Sequence, residues 1–262
     1  MSFSFDLISD LHVETWNQFD WTDQATSPYC VIAGDVARDP ASLEDALRHL
    51  SGCYQGIFYI DGNDEHRYQL DNLEQSYADI QAVIAPMKNV VYMQSNVVVV
   101  NGVALLATNG WWTYDFDPAV RYDETVSWFQ DRYGVTAESA ENIADRAIHD
   151  AAYLVNSVRH LQTHQEVRAI ALISHTVPAP WIINHDIDLA DDYRFNTMGN
   201  SHLDLVLDED TERKVKVWCF GHYHKGVDRE LDGVRYVNNC RGRGDTEWRQ
   251  TAYYPKRITV EF

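Results

Sequence analysis

Tyr29-Cys30-Val31-Ile32-Ala33-Gly34-Asp35 is a short apolar run that stops on a glycine and an acid. Runs of the same kind recur at 5–10 (FDLISD), 56–64 (GIFYIDGND), 167–175 (VRAIALISH) and 216–224 (KVWCFGHYH). Each is rich in Ile, Val, Phe or Tyr, too short for a helix, and closed by turn-forming polar residues, so each reads as a buried strand. Helical patterns at 42–50 and 70–85 lie between the first of them, giving the strand–helix alternation of an α/β sheet. Further strands are expected at 90–93, 97–100 and 103–106, the last two joined by Asn101-Gly102, a strong hairpin signal. Ala140, Ile143, Ala147, Ala151, Leu154, Val158 and Leu161 recur at threes and fours, predicting one core-facing helix over 137–161. The aromatic stretch before it, from Trp111 to Tyr133, has weaker periodicity and reads as an irregular excursion. Residues 111–165 together are thus a candidate lid or a packed loop. Segments 233–237 and 258–260 read as closing strands of a second sheet.

The chain has 262 residues, 45% of them hydrophobic, enough for one large domain over 1–262. Its 21 Lys and Arg stand against 40 Asp and Glu, a net charge of -19 that repels polyanions, so long nucleic acid is not an expected partner. The four cysteines lack CxxC spacing and the density of a disulfide scaffold. Cys30 and Cys219 sit inside apolar runs as small hydrophobes. There is no basic leader and no apolar stretch of about 18 residues, so a cytoplasmic protein without a membrane segment is expected.

The chemistry lies in the polar clusters that close the strands. Asp10-x-His12, Gly34-Asp35, Gly62-Asn63, His175 and Gly221-His222-Tyr223-His224 each end an apolar run. Polar residues at the carboxyl ends of neighbouring parallel strands converge on one crevice. Alone, each is as well explained by a turn or a cap. Five together, all of metal-compatible type, are not. Two carboxylates, an amide oxygen and four imidazoles without a thiolate suit Mn²⁺, Fe or Zn²⁺. Seven side chains exceed one tetrahedral zinc and suit two ions sharing a carboxylate.

In order and approximate spacing, from Asp10 to His224, this series resembles the D-x-H, G-D, G-N, lone H and G-H-x-H signature of the calcineurin-like metallophosphoesterase family. The resemblance implies a two-sheet β-sandwich flanked by helices, with a dinuclear centre at the carboxyl ends of the strands. It also assigns Asp10, His12, Asp35 and His224 to one ion and Asp35, Asn63, His175 and His222 to the other, with Asp35 bridging. Two ions about 3.5–4 Å apart activate a shared water and neutralise phosphoryl oxygens, so the implied reaction is hydrolysis of a phosphate ester by a metal-bridging hydroxide, without a protein nucleophile.

Where many members of that family carry a histidine after G-N, this chain has Asp64, in the run Gly62-Asn63-Asp64-Glu65-His66. A carboxylate facing phosphate repels a dianionic monoester more than a monoanionic diester, and a protonated one donates as an acid. His66 is the other candidate acid. Arg38, Arg241 and Arg243 are candidate phosphate contacts, since arginine offers paired donors. The expected substrate is a small phosphodiester or nucleotide. A phosphomonoesterase or protein phosphatase with the same centre, and a silent scaffold using the aromatic segment as a contact surface, remain open alternatives.

Overall fold

A computed structural model describes residues 2–117, 119–189, 192–245 and 252–262, so that position 118 of the excursion lies outside the described residues. In chain order the strands are β1 (Ser2–Ile8), β2 (Tyr29–Ala33), β3 (Gly56–Ile60), β4 (Val90–Tyr92), β5 (Asn96–Val100), β6 (Val103–Ala107), β7 (Ala169–Ile173), β8 (Val215–Phe220), β9 (Val227–Leu231), β10 (Val234–Asn238) and β11 (Lys256–Glu261). The helices are α1 (Pro40–Ser51), α2 (Leu73–Ile84), α3 (Tyr122–Tyr133), α4 (Ala137–Gln162) and α5 (Asp192–Phe195). One sheet runs β11-β1-β2-β3-β4 and the other β5-β6-β7-β8-β10-β9. Within each sheet the inner strands are parallel; β11, β5 and β9 pair antiparallel at the edges.

The continuous apolar runs follow from burial on both faces. Phe5, Leu7, Val31 and Ile60 from the first sheet meet Leu105, Ala171, Ile173 and Cys219 from the second in a shared inner core. The alternate residues Cys30 and Ile32 face outward onto Leu43 and Leu47 of α1 and Ile80 and Ile84 of α2. Each fully buried aliphatic side chain of this kind contributes about 1.5–3 kcal/mol. α1 is started by Asp39, whose side chain accepts from the amide of Ser42 at 2.9 Å, followed by Pro40. The C-terminal half of α4 lays Leu154, Val158 and Leu161 on the outer face of the second sheet. Its first half, through Ala140, Ile143 and Ala147, packs instead on Trp111, Trp112 and Phe129.

Two expectations are corrected. The stretch read as irregular contains the regular helix α3, which buries only Thr125 and Phe129, four residues apart, and ends on Gly134 at φ 66°. A stripe that narrow leaves little periodicity to detect. The segment at 258–260 does not close the second sheet: β11 pairs along the whole of β1, from Ser2 with Glu261 to Leu7 with Lys256. Among the described residues no helix is long and apolar enough to cross a membrane.

Candidate metal centre

β1, β2 and β3 are neighbours in one sheet and β7 and β8 in the other, and all five point their carboxyl ends to the same edge of the sandwich. The seven candidate ligands leave the chain there. Asp10, His12, Asp35 and His222 have φ of 51°, 42°, 54° and 63°, the left-handed region that costs a non-glycine residue energy. That turn reverses the side chain at the strand end and aims it into the crevice. Gly34, at φ 84°, precedes Asp35. Gly62 lies so close to Asp35 that an added Cβ would sit 2.8 Å from its carboxyl carbon.

Two groups of metal-competent side chains result, Asp10 with His12, Asp35 and His224, and Asp35 with His175 and His222. Asp35 stands in both, Oδ2 lying 3.7 Å from Nε2 of His12 and Oδ1 3.4 Å from Nε2 of His175. The fit to metal rests on side-chain donor atoms that converge within 4.8 Å of one another in each group. Asp10 Oδ2 is buried without a hydrogen-bond partner. Nε2 of His12 and Nε2 of His224 lie 3.1 Å apart, and the Asn63 amide oxygen sits 3.1 Å from Nε2 of His175. Two of the opposite ring nitrogens are already engaged, Nδ1 of His175 on the Ala33 carbonyl at 2.9 Å and Nε2 of His222 on the Thr197 carbonyl at 3.0 Å, while Nδ1 of His12 lies 3.3 Å from Asp64 Oδ2 without hydrogen-bond geometry. Such outer contacts select the tautomer that turns a free nitrogen toward a cation. The donor set therefore suits divalent ions.

The electrostatics record the same crowding. Burial disfavours a charged His175, but the charge and hydrogen bond of Asp35, with Asp10 and the Ala33 carbonyl, outweigh it and raise the ring to about 10. For His222, burial and the neighbouring His175 charge act together and lower it to about 4. Burial would raise Asp35, yet His175 and His12 hold it well below the usual carboxylate range.

The remaining sequence candidates separate. Arg38 donates from Nε to Asp64 at 2.9 Å, Arg243 donates to the same oxygen, and all three line the cavity above the centre. Asp64 thus gathers two guanidiniums and lies beside the His12 ring. His66 stands apart from the cavity. Its ring is fully buried, Nε2 bonded to Asp61 and Nδ1 to Ser76, each at 2.8 Å, outside the cavity lining. Arg241 packs over Trp16 at 4.3 Å and Phe19 at 5.9 Å and is likewise absent from that lining.

Three residues that sequence reasoning passed over hold the ligand loops. Glu65 accepts from the amides of Asp35 (3.1 Å), Val36 (2.6 Å) and Gly62 (2.8 Å). Asn238 donates to the carbonyls of Gly221 (3.2 Å) and Tyr223 (2.8 Å). Asn109, buried after β6, donates to Asp61, while its carbonyl takes the amide of His175 at 2.8 Å. The position of Glu65 right after Asn63-Asp64 was the one local signal available.

Above the centre opens a cavity of about 1010 Å³, with His12, Asp35, Asn63, His222 and His224 among the residues lining it. Trp112 stacks on the His222 ring at 5.5 Å and 15°.

No family model matches the chain, nor does any curated protein. Solved structures do. The phosphopantetheinyl hydrolase of Mycobacterium tuberculosis is 17% identical, with a TM-score of 0.72 over 97% of this chain and 95% of that one. The protein TT1561 of Thermus thermophilus is 10% identical, with a TM-score of 0.57 over 92% and 90%. The two mixed sheets flanked by helices are the calcineurin-like phosphoesterase fold. At one edge of that fold the chain carries clustered His and Asp side chains that could hold metal ions.

Proposed function

We propose that the protein is a dinuclear metal-dependent phosphoesterase that hydrolyses a small phosphodiester. The observation that carries this reading is the convergence of metal-competent ligand atoms, the orphaned Asp10 Oδ2 among them, on both sides of one shared carboxylate, Asp35. Asp10, His12, Asp35 and His224 would hold one ion and Asp35, Asn63, His175 and His222 the other. When bound, Mn, Fe or Zn ions supply Lewis acidity and lower the pKa of a water at neutral pH.

The chain's own residues do the rest. Arg38 and Arg243 are oriented by Asp64 beside the centre, where their forked donors suit non-bridging phosphoryl oxygens. Asp64 sits beside Nδ1 of His12, leaving Nε2 to bind. Trp112 and Phe129 wall the cavity with apolar surface that excludes water and accommodates an organic substituent. An Asp64 carboxylate near the phosphoryl site disfavours a dianion, which supports a diester over a monoester. The likeness to a protein named a phosphopantetheinyl hydrolase fits a small organic phosphate.

The test compares bis(4-nitrophenyl) phosphate with 4-nitrophenyl phosphate, after chelation and on readdition of Mn²⁺, Fe²⁺ or Zn²⁺. Expected are loss of diester turnover on chelation, recovery with metal, and a drop of about 10³-fold or more in Asp35→Asn. Turnover that survives chelation overturns the metal mechanism, and a higher kcat/KM for the monoester overturns the diester assignment.

A further inference from the structure

α3 and α5 meet at the cavity mouth, where the Trp128 ring stacks on Tyr193 at 6.2 Å and 25°. One turn past Trp128 on α3 is Arg132, and next to Tyr193 on α5 is Arg194. Both arginines line the same cavity as the candidate metal centre, and both are exposed, whereas the ligands at its floor are buried or partly buried. Their ionic state sets them apart. Arg38, Arg67 and Arg243 are paired with Asp64, and Lys225 with Asp186 and Asp188. Among the described residues, neither Arg132 nor Arg194 has a carboxylate within 4.0 Å.

That is unexpected for a chain of net charge -19. Among the described residues the lining carries six Lys and Arg against four carboxylates, Asp35, Asp64, Asp186 and Asp188, so that described lining is net positive before any ion binds. Opposed charge in a concave site focuses the field on an incoming anion. Arg38 and Arg243 serve the phosphoryl group at the floor. The mouth pair is separate from them, and Phe129, Val135 and Met198 contribute apolar lining to the same cavity.

We propose that Arg132 and Arg194 form a second anion subsite at the cavity mouth, so that the substrate is a diester bearing a further phosphate-like group across an apolar or planar segment. This rests on the phosphoesterase reading for its chemistry, but the subsite is defined by binding. The guanidinium forks take the distal anion, the aromatic wall takes the middle, and the floor takes the diester. The subsite confers affinity and selectivity and plays no part in bond cleavage.

The test uses thymidine 5′-(4-nitrophenyl phosphate) with and without a 3′-phosphate, two diesters that differ only in the second anion. In metal-loaded wild-type protein the 3′-phosphate should raise kcat/KM by about 10-fold or more, the scale of a charge-assisted contact. The ratio should fall toward unity in Arg132→Ala/Arg194→Ala and persist in Arg121→Ala, whose side chain pairs with Asp123 on the outer surface. Calorimetry with thymidine 3′,5′-bisphosphate and thymidine 5′-phosphate reads the same preference as binding. A ratio near one in wild type, or a ratio unchanged by the double substitution, overturns the subsite. If neither ester is hydrolysed while the bisphosphate still binds more tightly through the two arginines, the phosphoesterase reading fails and the subsite stands.

Discussion

Glu65 touches none of the candidate ligands through their side chains, yet its carboxyl accepts the amides that set where two of them start, those of Asp35 and of Gly62 just before Asn63. Burial and the neighbouring Asp35 charge raise this carboxyl to about 8, so at neutral pH it clamps the loops largely as a neutral acceptor for buried amides that would otherwise lack a partner. Glu65→Gln keeps the size and replaces one acceptor oxygen with an NH₂ that faces amide donors. The expected cost is about 1–3 kcal/mol in urea unfolding, the range for a buried polar group left unpaired. Metal affinity should fall about 10–100-fold, as for other contacts that orient ligands from outside. Metal binding and stability both indistinguishable from wild type would show that the loops are held by something else. A sequence reading cannot find this role, because two of the amides that Glu65 takes, those of Asp35 and Val36, lie about thirty residues away, and their direction depends on the left-handed turn at Asp35. For the ligands themselves it could: a metal site advertises itself in residue type and in position after a strand. The same reasoning could not tell an imidazole facing a candidate centre from one bonded between Asp61 and Ser76, as His66 is, since the two look alike in one dimension.

The strand-end turn is the element that converts two sheets into a site. β2 ends in Ala33-Gly34-Asp35 and β3 in Asp61-Gly62-Asn63, and the two turns press together so closely that Gly62 leaves room for the Asp35 carboxyl only by lacking a Cβ. Gly62→Ala must push that carboxyl aside. The predicted outcome is two bound ions falling to one or none by metal analysis, with circular dichroism unchanged, because β2 and β3 keep their parallel register from Tyr29 with Gly56 to Ala33 with Ile60. Full occupancy in Gly62→Ala would mean that the turn yields without moving Asp35. Such turns were legible because strand, glycine and ligand are adjacent in the chain. The helix α3 was not, with one apolar contact per turn, and the sheet membership of β11 was not, because its partner β1 lies at the other end of the sequence.

At the scale of the whole molecule, each proposed ion draws ligands from both sheets: Asp10, His12 and Asp35 against His224 for one, Asp35 and Asn63 against His175 and His222 for the other. A pair of ions there acts as a cross-link at one edge of the sandwich, on top of the shared inner core. The unfolded chain scatters these residues over more than two hundred positions, so metal binds the folded state alone, and its binding free energy adds to stability. An ion at a hundred times its dissociation constant stabilises by about 2.7 kcal/mol. For a chain of this size about 1 kcal/mol moves Tm by roughly 2–4 °C, so saturating both sites to that degree should raise Tm by about 10–20 °C over the chelated protein. The increment should vanish in Asp35→Asn, which removes the carboxylate common to both ions. A reducing agent should leave it untouched, because Cys30, Cys53, Cys219 and Cys240 form no disulfide. Scanning calorimetry of chelated and reloaded protein, with metal content measured on the same samples, decides the matter: ions present at two per chain with no change in Tm would mean that the sandwich edge is already rigid, and that the centre serves chemistry alone.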